Sequence, residues 1–294
     1  MNKLIPVVAL SVVALAGCST AAPASPDDDL IHVVASTSVY GDIVSTIGGD
    51  HVEVTSLISD ASVDPHSFEA SARDQLAISE ADLIVENGGG YDPFVDTLLT
   101  AAGSDAPVIT AVDVSGLPGV GQDGFNEHVW YSFAATEKVV DAVASQLGQL
   151  DPANADEYTA NADALGSAIA DLLTRAEGLG VTGDVAVTEP VPGYLLQAAG
   201  LTNVSPADFT EAIEEGNDVP PLALQETLAL FTDKKVLLLA YNSQTASPET
   251  ERVRQAAADA GIPVVEFTET LPAGADYVSW MTSNLDALAT ALGR

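Results

Sequence analysis

The chain is poor in positive charge, almost without cysteine and sparing with aromatic residues. Nine Lys and Arg stand against 43 Asp and Glu, a formal net charge of −34. So negative a surface repels phosphate backbones and argues against a nucleic-acid partner, while acid count alone makes no cation site. The surplus also suits a saline medium that screens its self-repulsion, and a Tm rising from low to molar salt is the signature of that adaptation. A single cysteine, Cys18, excludes an intrachain disulfide and any Cys-rich zinc or iron–sulfur site. No His-Glu-x-x-His, Gly-x-Ser-x-Gly elbow or P-loop is present, which removes the commonest hydrolase and nucleotide signatures. Disorder is excluded as well, because 47% of the 294 residues are hydrophobic, and the length suits about two domains with their own cores.

What is there begins at the N-terminus. Met1-Asn2-Lys3 is a short basic region, Leu4 to Ala16 is an apolar run too short to span a bilayer comfortably, and Leu15-Ala16-Gly17-Cys18 follows. Residues 1–17 read as a signal peptide, and Leu-Ala-Gly-Cys resembles the bacterial lipobox, in which the Cys becomes the lipidated first residue. Residues 18–29, rich in small residues, Pro and Asp, read as a tether. No later segment is long and apolar enough to cross a membrane. The expected product is an extracytoplasmic body held to the membrane only by lipid on Cys18.

From residue 30 onward strand and helix signals alternate. Strands are expected at Ile31–Ala35, His51–Ile58, Leu83–Glu86 and Pro107–Val112, with helices at Val39–Ile47, Ala72–Ala81 and Phe94–Ala102. Such alternation predicts right-handed βαβ units and a parallel sheet. Asp151-Pro152 reads as the start of a long helix. Its stripe is Ala155, Tyr158, Ala162, Leu165, Ile169, Leu172 and Ala176, with a stop at Gly178, for roughly 40 Å at ~1.5 Å per residue. The alternation then restarts, with strands at Asp184–Thr188, Lys235–Tyr241 and Pro263–Phe267 and helices at Gly193–Ala199, Leu222–Phe231, Pro248–Ala260 and Tyr277–Leu292. The fold class is α/β, with two parallel-sheet lobes, 30–150 and 179–294, joined by one long rigid helix at 151–178.

Ligands of open α/β sheets gather beyond the carboxyl ends of the strands. Four metal-competent side chains fall there: His66, His128, Glu189 and Asp276, two from each lobe. Neutral imidazoles with carboxylates suit a divalent first-row transition ion and are too nitrogen-rich for calcium. His32 and His51, at strand starts, read as structural. Glu69 and Glu127 lie beside the histidines, and solvent-facing or supporting roles suit them better than that of a general base.

The motifs carrying these residues are Asp64-Pro65-His66-Ser67-Phe68-Glu69, Asn126-Glu127-His128-Val129-Trp130, Thr188-Glu189-Pro190 before Gly193-Tyr194, Tyr241-Asn242-Ser243-Gln244 and Ala275-Asp276-Tyr277. With the lipobox and the long helix, they resemble the metal-binding lipoproteins of bacterial manganese/zinc-type ABC importers over essentially the whole mature chain. The resemblance implies two α/β lobes around a buried metal, with ligands at the positions of His66, His128, Glu189 and Asp276. It also implies delivery to a membrane permease driven by a cytoplasmic ATPase, with no enzymatic turnover; the chain is expected as a monomer. A Glu as third ligand, and a Gly-rich stretch 115–126 without His, favour manganese, with zinc or ferrous iron as alternatives. A metal-dependent hydrolase and a surface adhesin are the competing readings; the first needs an open coordination position, the second a large apolar patch.

Overall fold

The first lobe opens with β1 (Ile31–Thr37), buried along nearly its whole length, and α1 (Ser38–Gly48). β2 (Val52–Ile58), α2 (Ala72–Glu80), β3 (Leu83–Glu86), α3 (Phe94–Ala102) and β4 (Val108–Thr110) follow. The computed structural model describes residues 30–294 except 62, 64 and 123 and the side chain of His66. The signal-peptide, lipobox and tether readings, Cys18 included, therefore lie outside the described residues. The four strands pair in parallel in the order β2-β1-β3-β4. β1 and β3 are central and covered on both faces, which is why they read as unbroken apolar runs.

The second lobe repeats the plan. β5 (Gly183–Val187), α7 (Gly193–Ala198), β6 (Leu201–Asn203), α8 (Ala207–Glu214), α9 (Pro221–Thr232), β7 (Leu239–Asn242), α10 (Pro248–Ala260) and β8 (Val264–Phe267) build a parallel sheet in the order β6-β5-β7-β8. The strand order reverses between β1 and β3 in one lobe and between β5 and β7 in the other, and each reversal opens a crevice at the strands' carboxyl ends.

α5 (Phe133–Leu150) packs on the first lobe and on α6 (Ala155–Glu177), the helix that runs between the lobes. α6 is the expected long helix, about 35 Å in length. Tyr158, Ala162, Leu165, Ile169, Leu172 and Ala176 of its stripe are all buried. It touches α1 in the first lobe and both α7 and the closing helix α11 (Tyr277–Ala291) in the second. One apolar core therefore runs from Val33 through Ile169 to Val187 and Leu288. Truncating Ile169 to Ala should cost about 2–5 kcal/mol, since the site sits in that shared core. Among the described residues no helix is long and apolar enough to cross a membrane.

Several details depart from the sequence reading. The long helix starts at Ala155, because Asp151 closes α5 instead. The Asp151 carboxylate accepts from Asn154 Nδ2 at 2.6 Å and Tyr158 Oη at 2.8 Å, which fastens the turn between the two helices. Ala111 and Val112, expected in a strand, begin the short helix α4 (Ala111–Ser115), whose Val112 N–H donates to Asn87 O. β7 begins at Leu239, four residues after the strand start expected at Lys235, and α5, β6 and α8 carry no clear signal in the sequence. β6 is only three residues long, and α8 follows a turn opened by Pro206.

Candidate metal centre

His128 anchors the site. It follows the Gly-rich loop after α4 and is completely buried, lodged between the rings of Tyr91 at 5.7 Å and Trp130 at 5.2 Å. Its Nδ1 lies 2.8 Å from Asn126 Oδ1, which also accepts the His128 backbone N–H at 3.1 Å. The Asn126 amide is itself fixed, because its Nδ2 donates to the Pro190 carbonyl of the second lobe at 2.9 Å. Oδ1 therefore must face the imidazole, Nδ1 carries a proton, and Nε2 faces the carboxylates of Glu214 and Glu269. This is the usual way in which a supporting group prepares a histidine for a metal.

Carboxylates from the second lobe meet that nitrogen. Glu269, two residues beyond β8 and fully buried, brings Oε2 to 4.0 Å of His128 Nε2. Its Oε1 accepts from Asn242 Nδ2 at 2.7 Å. The same amide nitrogen donates at 3.1 Å to Oε2 of Glu189, just past β5, whose Oε1 accepts from Thr245 Oγ1. Asn242, at the end of β7, thus holds two buried acids with one side chain. Burial pushes the Tyr91 hydroxyl well above its ordinary range, helped by the charge and hydrogen bond of Glu269.

A third carboxylate comes from the end of α8. Glu214 Oε1 is 3.7 Å from His128 Nε2, and Glu127, His128 and Glu214 present ligand atoms all within 4.8 Å of one another. Burial, then the charges of Glu127, Glu269, Glu215 and Glu211, raise Glu214 to about 9. Burial likewise raises Glu127. Glu127 and Glu214, with Glu211 and Glu215, line a cavity of about 660 Å³ bounded also by Gly90, Gly124 and Phe125. A close approach supports the inner wall: a Cβ on Gly193 would fall 2.8 Å from Asn126 Nδ2 and would push that amide from its place. Tyr194, next to it, donates to the Asn126 carbonyl at 2.6 Å.

The four residues singled out from sequence have different fates. His128 and Glu189 lie in this cluster. His66 lies in the 3₁₀ turn Pro65–Ser67, on the loop that Gln244 of the second lobe holds through the carbonyls of Ala61 and Val63; its side chain is outside the described residues. Asp276 stands elsewhere: it is the exposed N-cap of α11, where its carboxylate accepts from Ser279 N–H at 2.8 Å and Ser279 Oγ receives the Asp276 N–H in return. That capping box occupies the group, and Glu269 supplies the buried acid past β8 in its stead. Glu269 could have been found by the rule that found Glu189, being the first acid past a strand end, whereas Asp276-x-x-Ser279 already spelled a helix start. Asn126, Asn242 and Gln244 sat within the quoted motifs without an assigned role. His32 and His51 are surface pairings, at 3.2 Å from Glu53 and 3.3 Å from Glu157, and Glu69 is exposed.

Two buried acids, an imidazole held by Asn126 and an acid-lined approach form a mixed N/O donor set fit for a divalent transition ion. Comparison with known proteins agrees. The chain is similar to the manganese-binding lipoprotein MntA of Bacillus subtilis (strain 168), 32% identical over 163 residues, or 54% of this chain and 53% of that protein. In that match the chain spans about half the length of its relative. Similarity to a metal ABC transporter substrate-binding lipoprotein of Lactococcus lactis is weaker, 26%, but extends over 100% of this chain and 98% of the other. Among solved structures, the SBP FpvC from Pseudomonas aeruginosa in complex with Mn²⁺ superposes with a TM-score of 0.73 at 27% identity, covering 90% of this chain and 98% of FpvC. The profile of the family described as "Zinc-uptake complex component A periplasmic" matches residues 33–291. With that span covering both lobes and the helix between them, the chain belongs to the zinc-uptake complex component A family.

Proposed function

We propose that the protein captures a divalent transition metal outside the cytoplasm and hands it to the permease of an ABC importer, whose cytoplasmic ATPase drives uptake. The observation that carries this reading is the buried group of His128, Glu189 and Glu269, donated by both lobes across one crevice. Metal takes the place of water and protons there and draws the lobes together, and α5 and α6 keep the motion small. The ligand set is His66, His128, Glu189 and Glu269. Two nitrogens and two carboxylates favour manganese, with zinc or ferrous iron as competitors, and manganese-binding lipoproteins among the relatives support the choice. Lipid on Cys18 keeps the monomeric carrier at the membrane. No catalytic turnover is assigned, in keeping with a family of transport proteins.

Glu127 and Glu214 line the approach to the buried group, where their carboxyl oxygens can receive an incoming cation as their protons leave. The test is metal analysis of the full chain in detergent, with competitive titration of Mn²⁺, Zn²⁺ and Fe²⁺ against wild type and His128→Ala. One ion per chain is expected, with affinity lower by more than about 100-fold in the variant, since supporting residues alone are worth 10–100-fold. Absence of stoichiometric metal from wild type would overturn the capture reading and bring the adhesin reading forward.

A further inference from the structure

Gln244, half-buried two residues past β7, makes more contacts of different kinds than any metal-centre role requires of it. Its Oε1 accepts the backbone N–H of Glu269 and, at 3.3 Å, that of Thr270. Its Nε2, with two hydrogens to give, lies 3.0 Å from Ala61 O, 3.1 Å from Val63 O and 3.0 Å from Thr270 Oγ1, so one of these bonds is shared. Peptide N–H groups can only donate and carbonyls only accept, so the amide has a single workable orientation and uses both ends. The Gln244 backbone N–H donates at 3.0 Å to Asn242 Oδ1, whose amide nitrogen holds Glu189 and Glu269. One hydrogen-bonded path therefore leads from the loop before His66, through Gln244, to both acids of the other lobe.

We propose that Gln244 is a positioning residue that latches the His66-bearing loop of the first lobe to Glu269 of the second and thereby sets how slowly bound metal escapes. The inference rests on the metal-capture reading for its consequence, though the latch exists without metal. Holding the loop in place beforehand lowers the ordering cost of binding, and such gains fall mainly on dissociation. Glutamate at this position fills the same volume but cannot donate to Ala61 and Val63, and alanine removes both ends.

The experiment is a chelator chase of Mn²⁺ from the full chain, comparing wild type, Gln244→Glu and Gln244→Ala. Release is expected to be about 10–100-fold faster in both variants, the range found for supporting shells, with association rates nearly unchanged. In a His66→Ala background, Gln244→Ala should add little, because residues acting through one another are non-additive. Hydrogen exchange on the metal-free proteins gives a second readout: the Glu269 and Thr270 amides should exchange faster without their acceptor. Unchanged release with unchanged exchange, or full additivity with His66→Ala, would overturn the latch. A wild-type chain that binds no Mn²⁺ would sink the capture reading alone, while the exchange data still decide whether the latch exists; should the alanine variant not fold, the isosteric glutamate carries the test.

Discussion

The two lobes share one plan, four parallel strands in the order 2-1-3-4, yet they equip the crevice differently. The first lobe contributes an imidazole on a long Gly-rich loop, remote from its strand and steered by Asn126. The second contributes Glu189 and Glu269 within two residues of strand ends, with Asn242 between them. Proximity to a strand end fixes a short side chain with little help. A loop needs a partner from across the crevice, and both loops have one: Asn126 reaches Pro190, and Gln244 reaches Ala61 and Val63. Two buried acids also stand side by side in the second lobe, bridged by the Asn242 amide, and Glu269 of the pair faces the imidazole of the first.

The largest effect that tests this contrast comes from the acids. Glu269→Ala should weaken Mn²⁺ binding by more than about 100-fold, whereas Asp276→Ala should leave affinity alone and lower stability by about 1 kcal/mol through loss of the α11 cap. Isothermal titration and thermal melts on both variants separate the two; the reverse pattern would break the strand-end rule for this lobe. A smaller, sharper change exchanges donor types. Glu189→His gives the second lobe a nitrogen, and the ratio of Zn²⁺ to Mn²⁺ affinity should rise about tenfold as the set softens. An unchanged ratio in competition titrations would show that donor type at 189 does not set preference.

The smallest effect lies wholly within the first lobe. Glu86, at the end of β3, accepts from Thr110 Oγ1 at 2.8 Å, and burial first, then the charges of Asp92, Asp96 and Asp113, raise it from 4.5 to about 7. Between those values the folded chain keeps a proton that the unfolded chain has lost. Stability from this group is therefore full below about pH 4.5 and declines as pH climbs through about 7. The Tm of metal-free Glu86→Gln should fall less across that window than that of wild type, by differential scanning calorimetry. Equal slopes would mean that Glu86 ionises alike in both states.

Much of the plan was legible in the chain. Leu83–Glu86, Phe94–Ala102 and Pro248–Ala260 lie where their apolar runs and flanking Gly and Pro place them, and the α6 stripe is buried at the spacing that announced it. β6 was too short for periodicity to register, and α8 lacks a side-chain N-cap at Pro206. In the site, His128 and Glu189 were readable because each follows a strand inside a distinctive motif. Glu269 and Asp276 are both acids after β8, and a helix cap and a buried acid look alike in sequence until burial is known.

Local signals fixed the alternating elements, the parallel sheets and the kinds of donor available, since these depend on residues three or four positions apart. Only the tertiary structure decided which acid faces His128, which nitrogen of that ring is turned to the acids and which amides tie the lobes together. Those choices depend on groups tens to hundreds of residues apart in sequence, such as Asn126 with Pro190 and Gln244 with Val63. Burial makes them binding, because a polar group removed from water must find its partner wherever the fold has placed one.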